Sequence, residues 1–208
     1  MLMWSMSLRV ARRAFVVVRA KRTLSGDETY CMEVTKKADY YNYLCAIHLP
    51  PDQRRFACFL RAFNAEISQV PDRAPTHETA RIRFRYWLDA IDAASKDPSS
   101  TDVRRSPVVR ELCWQARQRF RFSQRWLSML VEARANRVDG VPFATCLELE
   151  RYAEMTNAPI HYMLAESFGV SVLSLIAEDY ALLLVVLTFG CLRSFFLVHP
   201  YVCETVEL

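Results

Sequence analysis

An all-α fold is what this sequence predicts, and three observations predict it. Apolar residues recur at spacings of three and four in several separate windows, which is the period of one helix face. No run of strict alternation is long enough to make a strand of a sheet. Four glycines in 208 residues leave out the Gly-rich turns that Rossmann and P-loop enzymes need, and neither G-x-G-x-x-G nor G-x-x-x-x-G-K occurs. A hydrophobic share of 52% is enough for the core of one domain or slightly more.

The chain opens on a basic leader. Residues 1–26 carry Arg9, Arg12, Arg13, Arg19, Lys21 and Arg22 and no acid, so the formal charge of +4 becomes 21 basic against 23 acidic side chains in the remainder. The basicity therefore does not predict a nucleic-acid partner. An Arg-rich, acid-free stretch with bulky apolar residues between the arginines has the composition of a mitochondrial transit peptide, and residues 1–25 are read as one. Arg22, Leu24 and Ser25 match the pattern at which such leaders are cut. The competing reading is a basic amphipathic helix on a membrane surface.

Residues 33–49 place Ala38, Tyr41, Leu44, Cys45 and His48 on one helical face. The Pro50-Pro51 pair stops that helix and opens the next, predicted over 50–72, because proline suits a first turn and Asp52 can accept from its free N–H groups. Phe56, Phe59, Leu60, Phe63, Ile67 and Val70 form its apolar stripe. Asn64, Ser68 and Asp72 step by four along another face. A helix that turns two carboxylates four apart into a bundle can chelate Mg²⁺ and a diphosphate; here one of the three is acidic.

Pro71 and Pro75 mark a turn, and Thr76 caps a helix with the stripe Phe84, Trp87, Leu88 and Ile91, in which Arg83 shares the face of Trp87. Residues 96–105 read as a surface loop. Ser106-Pro107 opens a helix to about Phe120, Ser123 caps another, Asp139-Gly140 turns the chain, and Pro142 begins a last helix that Pro159 should kink or interrupt and Gly169 ends. Arg110, Arg117, Arg121 and Arg125 fall near one face; a solvated face is preferred there to a phosphate or lipid-headgroup site. Seven scattered cysteines without a C-x-x-C pair predict buried reduced thiols, and the four histidines share no metal-ligand spacing.

With these elements placed, the phrases DYYNYL…LPPDQRRFACFLRAFNAEISQVPD, RIRFRYWLDAID and ELERYAEMTNAPIHYMLAESFGV resemble the squalene/phytoene synthase family, and within it a mitochondrial branch whose members assist assembly of respiratory complex I. The likeness runs from about Tyr30 to Ser171. It implies a partial isoprenoid-synthase-like helical bundle over 26–171, followed by a divergent apolar C-terminal tail over 172–208. Active members of the family join two prenyl diphosphates using two Asp-rich motifs that bind Mg²⁺. The resemblance puts the first motif on Ser68 to Asp72, with Ser68 in an aspartate's place, Asn64 one turn earlier, and Arg83 and Trp87 in the following family phrase. The second motif is not found beyond Ser171. Residues 180–202 are apolar and nearly long enough to span a bilayer, although Arg193 and His199 weaken that reading.

The expectation is therefore a non-catalytic factor of the mitochondrial matrix, peripheral to the inner membrane. It would need no cofactor, and its partners would be complex I subunits or assembly intermediates, met through protein or lipid contacts. A Mg²⁺-dependent prenyl diphosphate transferase is the alternative, and Mg²⁺ enters only there. Phe56, Phe59, Phe63 and Trp87 would wall a prenyl cavity if one persists; core packing is the ordinary reading of each.

Overall fold

Ser25 starts the first helix of the computed structural model, which describes residues 24–98, 106–118 and 123–169. Eight helices and no strand occur among the described residues: α1 (Gly26–Ala38), α2 (Tyr40–Ala46), α3 (Pro51–Ser68), α4 (Val70–Arg73), α5 (His77–Lys96), α6 (Pro107–Arg117), α7 (Gln124–Ala135) and α8 (Cys146–Ser167). The all-α expectation holds. Residues 1–23 of the leader read over 1–25, the tail over 172–208, Phe120 and Arg121 lie outside the described residues.

Helix α3 is central. It packs against α1, α2, α4, α6, α7 and α8, because its apolar residues surround it rather than lining one narrow stripe. Phe56, Phe59, Leu60, Phe63 and Ile67 are all fully buried, and Val70 nearly so. They share one core with Phe84 and Ile91 of α5, Val108, Val109 and Leu112 of α6, Leu127, Leu130 and Val131 of α7, and Ile160 and Met163 of α8. Phe63 meets Trp87 edge to face at 5.3 Å between ring centroids. The four aromatics proposed as cavity walls are thus packed in the core.

Caps explain most boundaries. Ser25, Thr76, Ser106 and Thr145 each accept from the backbone N–H three residues on, at 3.1, 3.2, 3.3 and 3.2 Å, so each offsets one of the free donors of a first turn. Ser106→Ala is expected to cost about 1 kcal/mol in a urea titration, with Ser106→Asp close to wild type. Ser123 stands at its predicted N-cap position, but its side chain makes no capping bond. Gly169, at φ +80°, follows α8, and its N–H donates to Glu166 O at 2.9 Å.

Four boundaries differ from the sequence expectation. The helix expected over 50–72 breaks at Gln69 into α3 and α4, since Pro71 has no N–H to donate to Ile67 and crowds its carbonyl. The helix expected over 33–49 is two helices: Asp39, at φ −145°, closes α1 and caps α2 through Asn42 N–H. Its predicted apolar face is exposed; Ala38, Tyr41, Leu44, Cys45 and His48 all face outward, while Glu28, Cys31, Thr35 and Ala46 are buried. The last helix starts at Cys146 rather than Pro142 and runs through Pro159 without interruption. Helix α6 ends at Arg117, because Gln118 is extended. Cys31, Cys58 and Cys113 are buried thiols, whereas Cys45 and Cys146 are exposed. Burial pushes the Cys58 thiol up to about 11, which leaves it unreactive near neutral pH.

Candidate functional site

The polar row of α3 does not converge on one point. Asn64 Oδ1 accepts from Arg134 Nη2 at 2.7 Å. Ser68 Oγ donates to Ala65 O at 2.9 Å, within its own helix. Asp72 is exposed on α4, beyond the break at Gln69. Among the described residues no group of three or more His, Cys, Asp or Glu side chains is placed to hold a metal ion. The guanidinium against Asn64 also sets the local charge: a divalent cation at that oxygen would meet a fixed positive neighbour. Arg83 and Trp87 lie one turn apart with different surroundings, Arg83 exposed and Trp87 at 6% exposure. Of the four arginines of the suggested basic face, the three among the described residues are similarly dispersed. Arg110 pairs with Asp27 at 2.6 Å, Arg117 donates to Pro98 O, and Arg125 lies over the Trp126 ring.

Three buried arginines, none singled out by sequence, carry the interior electrostatics. Arg55 of α3 grips Glu111 of α6 with two bonds, Nε to Oε1 at 2.6 Å and Nη2 to Oε2 at 2.7 Å, and its Nη1 lies 3.5 Å from Glu28 of α1. The Trp114 ring stacks on the same guanidinium at 3.3 Å. Burial still raises the Glu111 carboxyl above its ordinary range, against the opposing effect of Arg55. Gln115 Nε2 supplies a further bond to Glu111 at 2.8 Å. This network fastens the start of α1 to the bundle. Tyr30, donating to Glu66 Oε1 at 2.9 Å, adds a second tie to α3.

Arg61 faces Asp39 at 3.6 Å and His161 Nε2 at 3.5 Å. A guanidinium only donates, so Nε2 of a neutral His161 accepts. Burial, then the Arg61 charge, holds His161 down at about 4. Between the ordinary value of about 6.5 and that value, the unfolded chain binds a proton that the folded chain does not. Stability should therefore fall as pH drops from about 6.5 to about 4, by up to roughly 3 kcal/mol from this group. Glu66 and Glu111, raised by burial, act in the opposite sense, since protonating them favours the folded state. Denaturant titrations of wild type and His161→Gln between pH 4 and 7 isolate the histidine: the variant should lose the acid-side decline.

An all-helical bundle packed around one central helix is the class of protein that these elements define. The chain belongs to the squalene/phytoene synthase family, whose model matches residues 35–184, continuing past Ser171. Its relatives include NADH dehydrogenase (ubiquinone) complex I, assembly factor 6 of Bos taurus, 34% identical over 70% of this chain and 42% of the relative. The Mus musculus protein of the same name is 32% identical over 77% of this chain and 46% of its own length. The Drosophila melanogaster homolog is 35% identical over 74% and 48%. The chain thus spans less than half the length of these curated relatives. No solved structure matches it.

Proposed function

We propose that this chain assists assembly of respiratory complex I as a non-catalytic binding protein of the mitochondrial matrix, peripheral to the inner membrane. The observation that carries this reading is the similarity, at 32–35% identity, to proteins named complex I assembly factor 6 in Bos taurus, Mus musculus and Drosophila melanogaster. The polar row supports the non-catalytic half of it. Metal-assisted diphosphate departure needs several carboxylates aimed at one point, and Asn64, Ser68 and Asp72 are instead occupied by Arg134, by Ala65 O, and by solvent. No described helix is long and apolar enough to cross a membrane, which is compatible with peripheral attachment.

Capture of the tagged chain from mitochondria tests the partner: complex I subunits or assembly intermediates should be enriched over a mock capture, and their absence would count against the reading. Family membership favours a rival, a Mg²⁺-dependent prenyl diphosphate transferase. Incubation of the purified chain with farnesyl or geranylgeranyl diphosphate and Mg²⁺ separates the two, since sustained diphosphate release would establish the rival.

A further inference from the structure

The apolar face that the sequence predicts over residues 33–49 has no part in the site above. Its spacing is that of a core-facing helix, yet α2 and the turn after it put it in solvent. Tyr40 is 52% exposed, Tyr41 59% and Leu44 38%, with Cys45 and His48 exposed beside them. Residues three and four apart are neighbours on a helix surface, so Tyr40, Tyr41 and Leu44 adjoin one another. What α2 buries is the small Ala46, which packs with Ala57, Cys58 and Leu164. The helix is thus fastened from beneath, and its large side chains face outward.

Cations border this face. Lys36 and Lys37 lie in the last turn of α1; both are exposed, and neither is paired with a carboxylate among the described residues. Lys36 Nζ stands 5.9 Å from the centroid of the Tyr43 ring, which stacks on Tyr40 at 6.3 Å. Lysine and tyrosines therefore form one continuous surface. Of the nearby acids, Asp39 is turned to Asn42 and Arg61, while the exposed Glu33, one turn before Lys37, offsets one of the two charges. The balance is positive, beside three phenols and a leucine.

We infer that the outer face of α2, with Lys36 and Lys37, is the surface by which this chain lies against an anionic lipid bilayer. Tyrosine suits the bilayer boundary, because its ring is apolar and its hydroxyl stays among the headgroups. Lysine suits it as well, since its stem lies along apolar surface while the ammonium reaches a lipid phosphate. With seven residues, α2 is far short of the ~20 that span a bilayer, so it rests on the surface. A second copy of the chain fits less well, because a two-fold axis would set lysines against lysines. A protein interface leaves lysine out of its buried centre. The inference rests on the peripheral attachment in the proposed function and not on the complex I partner.

The test sediments the full chain with vesicles of phosphatidylcholine mixed with phosphatidylglycerol, or of phosphatidylcholine alone, and follows amide hydrogen exchange with and without them. Exchange in residues 40–46 should slow on the anionic vesicles, which locates the contact even where another segment also binds. Tyr40→Ser/Tyr41→Ser/Leu44→Ser should weaken binding by about tenfold or more. Lys36→Gln/Lys37→Gln should weaken it by roughly fivefold per lysine, a difference that salt removes. All five side chains are exposed, so both variants keep the fold. Ile82→Ser takes an apolar side chain that is 70% exposed from α5, which packs against α4, α6 and α7, and should bind as wild type does. No binding to either vesicle, equal binding to both, unchanged exchange in residues 40–46, or an equal loss for Ile82→Ser would overturn the surface. A triple serine variant that keeps vesicle binding and loses capture of complex I subunits would assign the face to a protein instead. Capture that succeeds while α2 gains no protection would sink the docking surface and leave the assembly reading standing.

Discussion

Arg55→Met is expected to lower the unfolding free energy by about 3–5 kcal/mol, the range for removing one partner of a buried ion pair. The loss is large because the carboxylates stay behind: Glu111 is 1% exposed and Glu28 4%, and neither can recover its hydration. It would consume much of the about 5–15 kcal/mol that stabilises an ordinary domain. Arg55 also joins three helices, so the midpoint should fall for every probe of the bundle together. The double variant Arg55→Met/Glu111→Leu should regain at least about half of the loss, since two apolar side chains of similar volume replace a desolvated pair. Urea unfolding followed by circular dichroism checks both. A single variant within about 1 kcal/mol of wild type would mean that the pair behaves as a surface salt bridge.

Phe63→Ala should cost about 3–5 kcal/mol, from lost apolar burial and the cavity left behind. Phe63 is fully buried in the middle of α3. It lies 6.2 Å from Phe59 and edge-on to Trp87 at 5.3 Å, centroid to centroid, so its removal takes a packing partner from α5 as well as from its own helix. Phe63→Leu, which keeps most of the volume, should lose less than half as much. An equal loss for both substitutions would implicate the ring geometry rather than the volume. Phe168→Ala is the comparison: that ring is 47% exposed, and surface substitutions stay within about 0.5 kcal/mol.

The core of this fold was legible because burial and the helical period coincide in α3 and α5. Phe56, Phe59, Leu60, Phe63 and Ile67 are where their spacing put them, as are Phe84, Trp87 and Ile91. Caps were legible where a Ser or Thr precedes an apolar run, as at Thr76 and Ser106. The α1–α2 region was not, because its periodicity belongs to two helices separated by Asp39, and the residues that α1 buries include Glu28 and Thr35. A pattern search for apolar stripes cannot find a face that is held by ion pairs.

The candidate site shows the same boundary. Asn64 was found as part of a polar row, but its partner Arg134 sits on the apolar stripe Leu127, Leu130, Val131 of another helix, just as Glu111 sits between Val108 and Leu112. An ionisable residue at a core position of an amphipathic helix was the available signal. Its meaning depends on which helix lies opposite, and that is decided by tertiary packing. The separation of Asp72 from Asn64 and Ser68 had its own visible cause in Pro71.

The central claim is assistance to complex I assembly without chemistry at the polar row. The most direct measurement expresses the full chain, and its Asp72→Asn variant, in cells from which their own assembly factor 6 has been removed, and reads assembled complex I on native gels. Both proteins should restore complex I to the same extent. A chain that accumulates in mitochondria while complex I stays unassembled would contradict the assembly role, and restoration by wild type but not by Asp72→Asn would contradict its non-catalytic character.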